Sequence, residues 1–243
     1  MKDFTKITQS GADSAVQYDA GLRSYMIGVY KNMGLALAIS GFLAFFAGNP
    51  SSPFFETYAN TVYTNPILFW IIALAPLGMV LLLNFRIHKM SYASAKMTFW
   101  GFSVLMGLSL STIMTAYTDA SIFKMFFVTA ATFAAMSLYG YTTKRDLTGM
   151  GSFLMMGLIG IIIASVVNIF LQSSALEFVV SILGVFIFIG LTAYDTQKIK
   201  NTYFQLAGQG EILKKAALMG ALSLYLDFIN LMIMLLRLFG ERR

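Results

Sequence analysis

The run Ala221–Gly240, ALSLYLDFINLMIMLLRLFG, is apolar enough to lie in a bilayer, yet it carries Asp227 with about ten mostly apolar residues on either side. An aspartate at that depth costs at least ~2.5–3.5 kcal/mol on insertion scales, so it belongs on a face turned into the protein, where it finds partners. The expected partner is Asp195, near the end of the preceding hydrophobic run in GLTAYDTQKIK, Gly190–Lys200. The other apolar segments would then wall in this pair of acids.

The rest of the chain supports a membrane reading. Of its 243 residues 58% are hydrophobic and only 12% are charged, with a mean hydropathy of +0.72. A soluble domain has roughly 25% charged residues, and this deficit leaves too little polar surface to cover a globule in water. Seven apolar segments stand out, at about 25–48, 66–85, 97–118, 121–141, 151–171, 177–197 and 216–238. Each approaches or exceeds the ~20 residues that span a bilayer, so the fold class is an all-α polytopic membrane protein with seven transmembrane helices. A polar tail, 1–23, precedes a single domain, 24–243. That tail has no short apolar core followed by a small-residue cleavage site, so no signal peptide is expected. The breaks carry turn chemistry: Gly48-Asn49-Pro50, Asn65-Pro66, Gly149 and Gln172-Ser173-Ser174. Between the sixth and seventh segments a longer polar stretch, about Lys198–Lys215, reads as a connection.

Basic residues orient the bundle. Lys2, Lys6 and Arg23 lie in the tail, Arg86, Lys89 and Lys96 in the second loop, Lys144 and Arg145 in the fourth, and Lys198, Lys200, Lys214 and Lys215 in the sixth. The odd-numbered loops between them offer Lys124 alone. The positive-inside rule therefore places the N-terminus in the cytoplasm. A full seventh crossing puts Arg237, Arg242 and Arg243 outside, against that rule. Its length, about 23 residues at ~1.5 Å each, nevertheless favours crossing over a dip and return.

Chemistry narrows to a few side chains. There is no cysteine, which excludes disulfides, thiolate metal sites and cysteine nucleophiles. The net charge of +6 sits in loops between apolar helices, where topology explains it better than nucleic acid does. No HExxH, serine–histidine pairing or phosphate-cradling glycine loop occurs, so no catalytic residue and no cofactor are expected. An intramembrane aspartyl protease would carry one aspartate in a GxGD setting, and none is present.

Asp227 shares a helix face with Ser223 and Asn230, a polar stripe that suits a wet crevice. The plainer alternative is a carboxylate satisfied by a neighbouring hydroxyl or amide. Ser223, Asn230, Asn168 and Tyr194 are the candidates for lining such a crevice. Asp195 also reads as an ordinary end-of-helix acid. Helix rise puts it only ~5 Å from Lys198, whereas Asp227 lies ~18 Å beyond Lys215. The two meet only if the sixth helix continues past Asp195 through Gln197 and Ile199, with its lysines snorkelling. If they meet, two carboxylates in a poorly solvated site cannot both ionise cheaply, so one retains a proton. The pair also supplies hard oxygen ligands that suit Ca²⁺, so protonation competes with cation binding. A nearby base such as Arg86 could latch onto the deprotonated pair.

YDTQKIK at Tyr194–Lys200 and SLYLDFINL at Ser223–Leu231 resemble the two signatures of the Bax inhibitor-1 family, also called the transmembrane Bax inhibitor motif (TMBIM) family, in its bacterial members. The resemblance covers essentially the whole chain. It implies six helices around a central seventh and a pH-sensitive calcium leak channel gated by a di-aspartyl pair, here Asp195 and Asp227, with Arg86 as the family's arginine. It implies Ca²⁺ as permeating ion, and the lipid bilayer, Ca²⁺ and protons as partners, in a bacterial inner membrane. The same resemblance allows a non-conducting regulator, for example of a membrane-bound protease, with the tail Met1–Leu22 as its handle. The same acids would also serve a proton-coupled cation transporter.

Overall fold

The computed structural model describes residues 3–243, with side chains from residue 20 onward. The expected tail at 1–23, with Lys2 and Lys6, lies for the most part outside the residues whose side chains are described. Eight α-helices follow in order: α1 (Asp3–Gly48), α2 (Phe55–Tyr58), α3 (Pro66–Arg86), α4 (Tyr92–Ala116), α5 (Asp119–Thr142), α6 (Thr148–Leu171), α7 (Ser174–Leu206) and α8 (Gly210–Phe239). Seven of them, all but the single turn of α2, are long and apolar enough to cross a membrane; the apolar part of α1 runs from Ala20 to Gly48. A π-helical turn, Ala59–Tyr63, joins α2 to α3.

The punctuation read in the sequence becomes helix capping. The Asn65 side chain accepts from the backbone N–H groups of Ile67 and Leu68, ahead of Pro66 at the first helical position. Ser91, Thr118 and Ser173 start α4, α5 and α7 in the same way. Before α6, Asp146 accepts from the Thr148 hydroxyl (2.7 Å) and backbone N–H (2.9 Å), and these two bonds hold its carboxyl below the usual aspartate range. The chain runs through Pro76 without leaving the helix.

One boundary differs from expectation in a way that matters. The stretch Lys198–Lys215 is not a loop. Only Ala207, Gly208 and Gln209 separate α7 from α8, and the turn holds Gly208 at φ +86° and Gly210 at φ +39°, a backbone region that glycine enters without strain. The polar lettering of this stretch comes from the solvated ends of two long helices rather than from irregular chain.

Centrality follows from burial. Two thirds of the apolar window of α8 (67%) is buried, against 11% for α3 and α6. α8 packs directly on α1, α4, α5 and α7, while α3 lies outside against α4 and α6 outside against α7. α8 also crosses fully. At its start, Glu211 accepts from the Tyr92 backbone N–H (2.6 Å) and Lys215 donates to the Met90 carbonyl (3.1 Å), on the α3–α4 connection. At its end, the Glu241 carbonyl accepts from the Thr118 N–H and the Arg243 N–H donates to the Ala116 carbonyl, both at 3.0 Å, on the α4–α5 connection. The two connections lie at opposite ends of α4. We call these the basic end and the far end. Two of the three arginines that the charge rule would keep from the far end are matched there by acids: Arg242 pairs with Glu177 (3.0 Å) and Arg243 with Asp119 (2.5 Å).

Candidate functional site

The two motifs face each other across α7 and α8. The backbone of Gly220 lies against the Ile199 side chain, and that of Gly184 against Met234, and these close approaches set the antiparallel register. Asp227 stands seven residues from both Gly220 and Met234, so it shares their face. Asp195 falls on the matching face of α7, four residues before Ile199 and eleven after Gly184. In that register Asp227 is level with Thr192, and Asp195 sits roughly 5 Å, one helical turn, nearer the basic end. The depth problem posed by the sequence thus disappears, because α7 continues eleven residues past Asp195.

Asp227 is only 5% exposed, and its Oδ2 is fully buried with no hydrogen-bond partner among the described residues. The plainer reading, a carboxylate satisfied by local polar groups, fails for that oxygen. Asn230 donates its amide to the Leu226 carbonyl of its own helix (2.8 Å), and half-buried Ser223 makes no bond to the acid.

Three other polar side chains of this motif have structural tasks. Thr196 bonds Ser137 of α5 (3.0 Å), which in turn shares a short bond with Tyr30 of α1, so three helices are tied at one level. Gln197 staples the α5–α6 connection, donating to the Arg145 carbonyl and accepting from the Leu147 N–H, both at 2.8 Å. Lys200 donates to the Tyr141 carbonyl near the end of α5 (2.8 Å). Asp195 alone in this motif faces α8 without a partner among the described residues. On α8, the Tyr225 hydroxyl reaches Ser40 (2.7 Å), whose hydroxyl also lies 3.0 Å from the Ser103 carbonyl. Sequence reasoning missed Tyr30, Ser40 and Ser137: single hydroxyls in apolar helices carry no pattern that marks a partner in another helix.

Three expected site residues lie elsewhere. Tyr194 turns towards α6, its ring against the backbone of Gly151, and does not line the space beside the acids. Asn168 accepts from the Ser173 N–H (3.0 Å) and closes the α6–α7 turn at the far end, because a side-chain amide there answers a free backbone donor. Arg86 is exposed in the last turn of α3 and makes no ion pair with either acid, so the expected latch is absent from this structure. Among the described residues no group of three or more histidine or acidic side chains gathers as a metal site.

The model for inhibitors of apoptosis-promoting Bax1 matches residues 22–243, which includes both motifs and every membrane-spanning helix but the first turns of α1. The chain belongs to the Bax inhibitor-1 family. Members of that family similar to it include the inner membrane protein YbhL of Escherichia coli K12, 48% identical over 96% of this chain and 97% of that protein. An uncharacterized protein of Rickettsia prowazekii, RP147, is 45% identical over the full length of both chains. An uncharacterized membrane protein of Streptococcus pyogenes serotype M1 is 36% identical over 99% of both. This Bax inhibitor-1 family chain is therefore an integral, multi-pass membrane protein, with the acid pair inside its helix bundle.

Proposed function

We propose that the protein is a passive, pH-sensitive Ca²⁺ leak in which Asp195 and Asp227 are at once proton sensor and cation ligands. The single observation behind this reading is the Oδ2 of Asp227, buried in the central helix without a hydrogen-bond partner among the described residues and about one helical turn from the level of a second acid. An isolated ionised carboxylate in such surroundings is costly by several kcal/mol or more, so the pair favours a shared proton or a cation. Two carboxylates are too few to close the 6–8 oxygen shell of Ca²⁺, which suits an ion in passage, completed by water and backbone carbonyls, better than a resident one. Protons and Ca²⁺ would then compete for the same oxygens. This assigns a non-catalytic role, with the bacterial inner membrane as setting and the basic end in the cytoplasm.

The test is Ca²⁺ flux into proteoliposomes of the purified protein across a range of pH. Asp227→Asn is expected to flatten the pH dependence, and Asp195→Asn to weaken it. Flux and pH profile unchanged by either substitution would sink the di-aspartyl reading. Uphill Ca²⁺ movement driven by an imposed proton gradient would replace the leak with a coupled transporter. No flux from any sample would leave the regulator of a membrane protein as the better reading.

A further inference from the structure

A cavity of about 510 Å³ lies between α1, α4, α5 and α8 in the far half of the bundle, within the size range of ligand sites. Apart from Asp119 its wall is apolar. The floor is the central helix itself, at buried Phe228 and Ile229, directly after Asp227. The mouth is lateral. α5 packs on α7 and α8 rather than on α1, and the rims are exposed: Gly34, Ala38 and Gly41 on α1, Phe123 and Phe126 on α5. A Cβ added at Gly34 or Gly41 would meet nothing within 4 Å, so these glycines, which cost a helix roughly 0.5–1 kcal/mol each relative to alanine, serve no close packing inside the protein. What they leave is a trough, open to the hydrocarbon of the bilayer. Its far end carries an acid and a base side by side, Asp119 on the cavity wall and Arg243 bonded to it, with side chains 46% and 32% exposed.

We propose that this trough binds one acyl chain of an ethanolamine phospholipid, whose ammonium sits on Asp119 and whose phosphate sits on Arg243. The opening at membrane depth and the apolar wall select a hydrocarbon chain. The paired carboxylate and guanidinium select a headgroup that carries both charges in neighbouring positions, since a headgroup with a single negative charge leaves Asp119 opposed by like charge. The assignment does not depend on the Ca²⁺ reading, although the chain would end against the neighbour of Asp227.

Native mass spectrometry of the delipidated full-length protein, titrated with phosphatidylethanolamine or phosphatidylglycerol, tests it. The wild type is expected to hold one phosphatidylethanolamine, with phosphatidylglycerol bound several-fold more weakly. Gly41→Leu places its Cβ in open space on the rim of the trough and is expected to reduce retention about tenfold while leaving the melting temperature close to that of the wild type. Asp119→Asn is expected to abolish the preference between the two lipids. Should Gly41→Leu fail to fold, Ala38→Leu on the same rim serves in its place. Unchanged retention in the folded rim variant, no adduct on the wild type, or equal binding of both lipids to the wild type would each overturn the proposal.

Discussion

At the scale of single residues, the two motifs divide sharply between side chains that hold the bundle together and side chains that nothing holds. Gln197 uses both ends of its amide on the α5–α6 connection while only 9% exposed, so Gln197→Ala leaves the buried Leu147 N–H unanswered and frees the Arg145 carbonyl. The expected loss is about 1–3 kcal/mol, measured by reversible unfolding in mixed micelles. Ser137→Ala breaks the bridge from Tyr30 to Thr196 and is expected to cost about 0.6–1.7 kcal/mol, because a hydroxyl bond between membrane helices has that range. The acids should behave in the opposite sense. Asp227→Asn removes a buried ionisable group whose Oδ2 has no hydrogen-bond partner among the described residues, so the variant should unfold no more readily than the wild type even where its flux is altered. A marked loss of stability in Asp227→Asn would indicate a structural carboxylate. The importance of Asp227 was legible in the sequence because an acid amid hydrocarbon is rare. The roles of Gln197 and Lys200 were not, because they cap other helices, and nothing in YDTQKIK names Arg145 or Tyr141 as the group to be capped.

At the scale of elements, the helices are spaced by where side chains are missing. The Gly140 backbone meets the backbone of α7 so closely that an added Cβ would come 2.2 Å from the Ala193 carbonyl oxygen. Gly140→Leu must therefore part α5 from α7, breaking the Ser137–Thr196 bond above it, and is expected to cost more than the 1–3 kcal/mol of ordinary overpacking. Gly28→Leu, where nothing lies within 4 Å, should be tolerated, and the comparison is read from the yield of monodisperse protein. The far-end clasp should matter less. Arg242→Ala and Arg243→Ala remove exposed ion pairs worth about 0–1 kcal/mol each, while the backbone bonds of Glu241 and Arg243 to the α4–α5 connection persist. Helix count and type were legible here, because seven apolar runs of membrane length admit little else. The ends were not: hydropathy falls as soon as a helix leaves the hydrocarbon, so α7 read as ending at 197 although its backbone bonding continues to Leu206.

At the scale of the whole molecule, the alternation of basic and non-basic connections gives an orientation that labelling can check. The chain has no cysteine, so single cysteines introduce clean reporters. Lys124→Cys should react with a membrane-impermeant thiol reagent added from outside, and Lys144→Cys only after the membrane is opened; the reverse pattern would invert the assigned orientation. The seven-helix plan was readable from the order of the apolar segments, whereas the register that brings Asp195 within about one helical turn of the level of Asp227 depended on a turn of three residues hidden inside a polar stretch. That turn has a mechanical result. With so little chain at Ala207–Gln209, α7 and α8 cannot slide past one another like pistons, and any motion that separates the acids must swing the two arms about their shared joint, as tongs open. Lengthening the joint with a few flexible residues would loosen the alignment of the carboxylates without touching either of them.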